Sequence, residues 1–351
     1  SLRIGMECGR ISNEKCQEKK EQKENCKVEV GKYKSIFYPG NTEVEGKKHP
    51  LGNLLLTGAT GYLGAHVLDQ FMKEEKGRIY CVVREGAKTA EEKLWERLRY
   101  YFEGRYETEI GRRIIPVQGD ITDPQVVGKL PRNVQTVIHT AADVRHYGIY
   151  ETLWKTNVMG TQNMTEYACK TGAEFVHIST TSVSGNGLTR TKRMNFEDFD
   201  ETKFYVGQSL ENVYVKSKWE AEQCVYDAML SGMRGMVIRV GNLTNDMENA
   251  KFQPNKSQNA FVKRMEALLQ MEKMPEYMDE FELDFSPVDQ VAVAIIKITQ
   301  YRQDHGQKVF HLNNFMSVNM KQFVDAVRMN GKKIQIISDK EFFSELERCR
   351  E

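Results

Sequence analysis

From Asn53 onward the chain alternates short apolar runs with stretches in which apolar residues return every three or four positions. Leu54-Leu55-Leu56 reads as a buried strand, and in residues 61–75 Leu63, Val67, Leu68 and Phe71 fall on one helical face. Ile79-Tyr80-Cys81-Val82-Val83 is a second strand and Ala90 to Phe102 a second helix. Ile114-Ile115-Pro116-Val117, Val134 to His139 and Phe175-Val176-His177-Ile178 are further strands; residues 151–171 and 211–231 are helices, and Gly235 to Val240 is another strand. Strands alternating with helices in this way predict right-handed βαβ units and a doubly wound parallel sheet covered on both faces, an α/β fold of Rossmann type.

After Gly241 the alternation weakens. Residues 242–287 are polar with scattered Met and Phe. A strand (Lys308 to Leu312), a helix (Asn319 to Met329), a strand (Lys333 to Ile337) and a helix (Lys340 to Cys349) follow, which predicts a smaller C-terminal region over the end of the sheet. Residues 1–50 differ again: 19 of the 50 are charged, and Glu14 to Lys27 is almost wholly polar, the pattern of a solvated helix or linker. The expected organisation is a charged extension (1–50), a sheet domain (51–241) and a C-terminal region (242–351).

Composition narrows the function classes. With 351 residues, 40% of them hydrophobic, the chain has the apolar material for a core and the length for one large domain or two. Fifty Lys and Arg against 49 Asp and Glu leave a formal charge of +1, which argues against nucleic acid as the main partner. No run of apolar residues is long enough for a membrane span, and the opening Ser1-Leu2-Arg3-Ile4-Gly5 lacks the apolar core of a signal peptide. The missing initiator Met suggests a piece cut from a longer chain. Seven cysteines without C-x-x-C spacing read as free thiols in a reducing, cytoplasmic compartment.

Thr57-Gly58-Ala59-Thr60-Gly61-Tyr62-Leu63-Gly64 lies between the first strand and the first helix. Glycines there permit a tight turn and close approach of backbone to a pyrophosphate, and the helix start offers free N–H groups to that anion. The second strand ends in Val83-Arg84, where an NAD site usually carries Asp or Glu. A guanidinium suits a 2′-phosphate, so NADPH is the expected cofactor. Glu85 should point to the opposite side, and Arg97 is either a second cation for that phosphate or a solvated helix charge. Gly119-Asp120-Ile121 after the third strand would flank the adenine, and Ala141-Ala142 after the fourth would let the cofactor lie close to the backbone.

Tyr214-Val215-Lys216-Ser217-Lys218 holds a Y-x-x-x-K pair on one helical face, opening the helix that follows the fifth strand. A nearby ammonium should lower the phenol pKa and make Tyr214 a proton donor near neutral pH. The strand ends in Ser179-Thr180-Thr181-Ser182, and a hydroxyl there can hydrogen-bond a developing oxyanion; Thr180 is the first choice and Thr181 the reserve. The seven His are dispersed without a metal-site spacing, so no metal is expected.

These features resemble the extended short-chain dehydrogenase/reductase superfamily and, more narrowly, the terminal thioester reductase domains of nonribosomal peptide synthetases. The narrower likeness rests on Leu56 to Gly64, Val82-Val83-Arg84, Gly119-Asp120-Ile121, His139 to Val144, and Asn157-Val158-Met159-Gly160-Thr161. It continues through Val206-Gly207-Gln208, Asn212-Val213-Tyr214, Ile238 to Thr244 and Phe285-Ser286-Pro287-Val288-Asp289, covering about 53–300. Asn245-Asp246-Met247-Glu248 departs from the family, which more often has an Arg followed by an Asp-Gly turn.

The resemblance implies reduction of a peptidyl or acyl thioester, held on the phosphopantetheine arm of a carrier domain, to an aldehyde or onward to an alcohol. It implies Thr180 and Tyr214 at the oxyanion, Lys218 on the cofactor's ribose, and Gly241 and Asn242 among the cofactor-binding residues. It also implies a C-terminal acyl channel, which Phe252, Phe261, Met265, Met271 and Met274 would line unless they are core. The excised domain should be monomeric. An acyl-CoA or carboxylic acid reductase is the nearest alternative. A nucleotide-sugar epimerase or dehydratase is disfavoured by Arg84 and the Gly241-Asn242-Leu243-Thr244 block, and a non-catalytic NADP sensor by the intact Thr180, Tyr214 and Lys218.

Overall fold

A computed structural model of the chain describes residues 31–37, 46–84, 86–185, 199–256, 259–279, 281–301, 306–314 and 318–348. Most of the expected charged extension, with Cys8, Cys16 and Cys26, lies outside the described residues, as do Glu85 and Cys349. Six strands, β1 (Leu54–Thr57), β2 (Ile79–Val83), β3 (Ile114–Gln118), β4 (Thr136–His139), β5 (Glu174–Thr180) and β6 (Gly235–Val240), follow the sequence pattern. Short pairs come next, β7 (Leu243–Thr244) with β10 (Ser286–Pro287), and β8 (Lys273–Pro275) and β9 (Glu282–Leu283) with later partners; β11 (Val309–Leu312) then returns to the main sheet. The seven-stranded order is β11-β6-β5-β4-β1-β2-β3, parallel throughout.

Both faces are covered, which is why the strands are apolar at successive positions. Leu54, Leu56, Ile79, Cys81 and Val83 face α1 (Tyr62–Glu74), α2 (Ala90–Phe102) and α8 (Val288–Gln300) in one core. Leu55, Tyr80, Val82, Val137 and Phe175 face α5 (Gly160–Thr171) and α6 (Val213–Leu230) in the other. The helix expected over 151–171 is interrupted: α4 (Tyr150–Trp154) passes through a π turn at Lys155–Met159 into α5. Asn157 in that turn is buried, and its amide donates to Asp143 O at 2.9 Å and Ser217 Oγ at 2.8 Å, so the irregular turn is fixed by side-chain bonds.

Local signals set the helix starts. Thr89 and Glu92 form a capping box for α2, and Asn212 Oδ1 accepts from Tyr214 N and Val215 N at the head of α6. Asn319 and Gln322 do the same for α9 (Met320–Met329).

Three expectations need revision. The polar stretch 242–287 contains a helix, α7 (Ala260–Met271). With β8 paired to β13 (Gln335–Ile337), β9 paired to β12 (Val318–Asn319), and α9 and α10 (Asp339–Arg348), α7 builds a third core. Met265 and Met274 are inside that core, while Phe261 and Met271 are half-buried against it; Phe252 packs on the Tyr62 ring at 5.2 Å. The 242–351 stretch also completes the main sheet, since α8 packs on α1 and β11 pairs with β6. Finally, residues 1–50 are not all linker. Tyr33 and Ile36 are buried, and the Tyr33 ring meets Phe204 at 5.6 Å and Tyr226 at 5.5 Å. No helix among the described residues is long and apolar enough to cross a membrane.

Candidate active site

The C-terminal edge of the parallel strands gathers the motifs in one place, where ligands bind in open α/β sheets. β1 ends at Thr57 and the chain turns through Gly58, whose φ of +76° is a left-handed conformation. A Cβ on Gly58 would stand 2.6 Å from Thr140 Oγ1 and 2.7 Å from Ala141 N. One on Gly64 would stand 2.1 Å from Gly58 O. Gly61 N closes the turn on Gly58 O at 2.8 Å, and Gly61 caps α1 without a side-chain bond, leaving the first N–H groups of the helix for an anion. The cradle fits a pyrophosphate, with Thr60 half-buried at its lip.

The other turn residues are spent on supporting it. Thr57, expected to touch the cofactor, is fully buried; its Oγ1 lies 2.7 Å from His139 Nδ1 and accepts from Ala141 N at 3.3 Å. The Tyr62 hydroxyl donates to Thr244 O at 2.7 Å, and burial raises its pKa. Leu63 lies in the core, so Tyr62 and Leu63 offer the cofactor backbone alone.

Arg84 is exposed at the end of β2. The cation beside its backbone is Lys93, whose Nζ donates to Arg84 O at 2.8 Å; Arg97 lies over the Tyr101 ring at 5.9 Å. Lys93 is a residue the sequence reading missed. Burial pushes the Asp143 carboxyl up, but hydrogen bonds from Arg145 and the charges of Arg145 and Arg84 bring it below its usual range. Asp120 Oδ1 accepts from Thr122 N at 2.9 Å after β3, and the neighbouring Ile121 packs where a side chain on Gly160 would stand. Ala141 and Ala142 follow β4, half-buried beside the glycine turn.

β5 ends at Thr180, which pairs in register with Val240 of β6. Thr180 Oγ1 accepts from Ser182 N at 3.1 Å, and its hydroxyl stands beside the Tyr214 side chain, close enough to pull the phenol pKa down. The Thr181 hydroxyl instead donates back to Val240 O at 3.5 Å, so Thr180 and not Thr181 meets Tyr214. Lys218, one turn along α6, is buried, with Nζ donating to Ile178 O at 2.8 Å and lying 3.2 Å from His177 Nε2. The expected lowering of the phenol pKa is overturned: burial pushes Tyr214 up to about 12, against the pull of the Thr180 hydrogen bond. Burial moves Lys218 the other way, to about 8, opposed by the charge of Glu222.

Two neighbours had no sequence signal. His146, on the loop after β4, sets its ring 4.9 Å from that of Tyr214. Asp284 binds the end of β6: its Oδ2 accepts from Asn242 N at 2.8 Å, and a Cβ on Gly241 would lie 1.7 Å from the same oxygen. Gly241 and Asn242, expected at the cofactor, are thereby engaged with the strand that carries Ser286, whose Oγ donates to Asp284 Oδ1 at 2.7 Å.

The family described as male sterility protein matches residues 56–295. The chain belongs to this family. It is an extended short-chain dehydrogenase/reductase, an oxidoreductase domain of a nicotinamide-binding type. A linear gramicidin synthase of Brevibacillus parabrevis is 27% identical over 303 residues, 84% of this chain and 6% of that protein. The large chain of the L-2-aminoadipate reductase of Penicillium chrysogenum is 28% identical over 326 residues, 85% of this chain and 22% of that protein. The chain thus spans less than a quarter of either relative. Among solved structures, the reductase domain of the aureusimine biosynthetic cluster is 31% identical with a TM-score of 0.79, over 92% of this chain and 83% of that one. A thiolation-reductase di-domain from an archaeal non-ribosomal peptide synthetase is 34% identical with a TM-score of 0.78, over 87% of this chain and 65% of that one.

Proposed function

We propose that this chain is a terminal reductase domain that uses NADPH to release a peptidyl or acyl group from the phosphopantetheine thioester of a carrier domain as an aldehyde. The carrying observation is the placement of the Thr180 hydroxyl beside the Tyr214 phenol at the end of β5, with buried Lys218 one turn behind it, bonded to Ile178 O. The similarity to reductase domains of peptide synthetases supports a thioester as substrate and a thiolation domain as partner. Arg84, where an NAD site carries an acid, supports the 2′-phosphate and hence NADPH.

The nicotinamide cofactor, when bound, supplies the hydride that adds to the thioester carbonyl carbon. Tyr214, with its pKa raised to about 12, remains a phenol at neutral pH and can give its proton to the carbonyl oxygen. Thr180, its single hydroxyl hydrogen turned from the phenol to the substrate and its oxygen held by Ser182 N, donates a second hydrogen bond to that oxygen. The carbon–sulfur bond then breaks, the hydroxyl proton leaves, and the aldehyde and the carrier thiol depart. Lys218 binds the ribose hydroxyls. The monomeric state belongs to the same proposal, as does a substrate-side role for 242–351 alongside its share of the main sheet.

The test supplies NADPH and an acyl thioester on a phosphopantetheinylated carrier and follows NADPH oxidation with trapping of the aldehyde. Stoichiometric aldehyde or alcohol and free carrier thiol are expected. NADPH bound but never oxidised with any carrier-bound or CoA thioester would refute it.

A further inference from the structure

The strand register places Thr57 of β1 opposite His139 of β4, and His139 opposite His177 of β5. These side chains form a polar row in an otherwise apolar layer. Thr57 Oγ1 is 2.7 Å from His139 Nδ1; the two imidazoles stack with centroids 5.5 Å apart and planes 28° from parallel. The row ends on Lys218, whose Nζ lies 3.2 Å from His177 Nε2. All four side chains are buried.

An ammonium has three donors and no acceptor, so His177 Nε2 must accept, which puts the ring proton on Nδ1 and keeps the ring neutral. Ile178 O takes a second ammonium hydrogen at 2.8 Å. Two of the three hydrogens are thus committed to adjacent atoms of β5, leaving one for a group outside the protein. His177 Nδ1 has no hydrogen-bond partner among the described residues, a cost that an apolar side chain would not carry.

We propose that His177 is a positioning residue, whose Nε2 acts with Ile178 O to fix the Lys218 ammonium so that its remaining hydrogen meets the cofactor's ribose. The proposal rests on the reading of Lys218 as a ribose ligand. The titratable groups facing Lys218 are His177 from β5, His139 behind it from β4, and Tyr214 and Glu222 one turn to either side on α6. Of these, His177 alone has an acceptor atom within hydrogen-bond distance of Nζ among the bonds described for the site.

NADPH binding should be titrated by its fluorescence between about pH 6 and pH 9.5 in the wild-type chain and in His177→Gln, His177→Leu and Lys218→Met, with circular dichroism as the folding control. Gln carries an acceptor near the position of Nε2 and should bind NADPH within about threefold of wild type with the same pH profile. Leu should weaken binding by about tenfold or more and bring the alkaline loss of binding to a pH about one unit lower, because an ammonium deprived of an acceptor gives up its proton sooner. If Leu does not fold, His177→Asn, too short to reach Nζ, replaces it and should behave as Leu is expected to. Wild-type affinity and pH profile in the Leu or Asn variant, or a Gln variant as impaired as they are, overturns the proposal. Wild-type binding by Lys218→Met at every pH would instead overturn the ribose assignment itself.

Discussion

Tyr214 and Lys218 share one helical face, yet burial drives their pKa values in opposite directions, to about 12 and about 8. The consequence is a donor protonated across the neutral range beside a cation that loses charge under mild alkali. Tyr214→Phe removes the proton but keeps the ring against His146, so turnover should fall by about 10²–10⁴-fold while NADPH affinity stays within about threefold. Normal turnover in that variant would sink the mechanism. Arg84 is exposed and its side chain has no hydrogen bond described within the protein, so its cost of removal should appear with the phosphorylated cofactor alone. Loss of a charged hydrogen bond of about 1.5–3 kcal/mol predicts that Arg84→Ala raises the KM for NADPH by roughly 10–100-fold. The KM for NADH should change by less than about threefold, and an equal effect on both cofactors would remove the 2′-phosphate role.

The elements explain what the sequence made legible. The glycine turn and the Y-x-x-x-K pair are local patterns, each confined to one turn or one helix start, so spacing alone brought Gly58, Gly61 and Gly64, and then Tyr214 and Lys218, into view. Apolar runs such as Leu54-Leu55-Leu56 marked the parallel strands because both sheet faces are covered. Asp284, His146 and His177 stayed hidden because each reaches its partner across elements far apart in the chain, and no period encodes that; the partner of Lys93 is close in sequence but is a backbone carbonyl, which no residue pattern marks. α7 was missed because its apolar face serves a separate small core within a polar stretch. The phenol pKa was misjudged because spacing shows a neighbouring lysine but not the burial of both groups. The glycine turn itself yields an element-scale prediction. A methyl on Gly64 would meet Gly58 O at 2.1 Å, a backbone atom that cannot move without opening the turn. Gly64→Ala should therefore destabilise the fold by about 1–3 kcal/mol and weaken NADPH binding beyond what the stability loss explains. Denaturant titration with and without NADPH measures both, and unchanged affinity would mean that the turn does not hold the pyrophosphate.

At the scale of the molecule, the Thr57–His139–His177 row joins the glycine turn to Lys218 of α6 through the middle of the sheet, and it makes folding depend on neutral histidines. Burial first, and then the charge of Lys218, lowers His139 to about 3 and His177 well below its usual value. In the unfolded chain both rings should titrate near 6.5. Below that pH the unfolded state binds protons that the folded state refuses, so stability must fall as pH drops from 6.5 towards 3. The sign follows from linkage: where the unfolded state holds more protons, stability rises with pH, by about 1.4 kcal/mol per pH unit for each ring. Between pH 6 and pH 5, where paired carboxylates are still largely ionised, the two rings together predict a slope approaching about 2.8 kcal/mol per unit. Urea unfolding at several pH values in that interval measures it. His139→Gln keeps a polar side chain beside Thr57 without an ionisable group, and it should lower the slope by up to about 1.4 kcal/mol per unit, whatever it does to stability at pH 7.5. A slope unchanged by that substitution would show that His139 is protonated in the folded protein. The acid sensitivity would then rest on His177 and on the half-buried rings His146 and His311, whose pKa values burial also lowers.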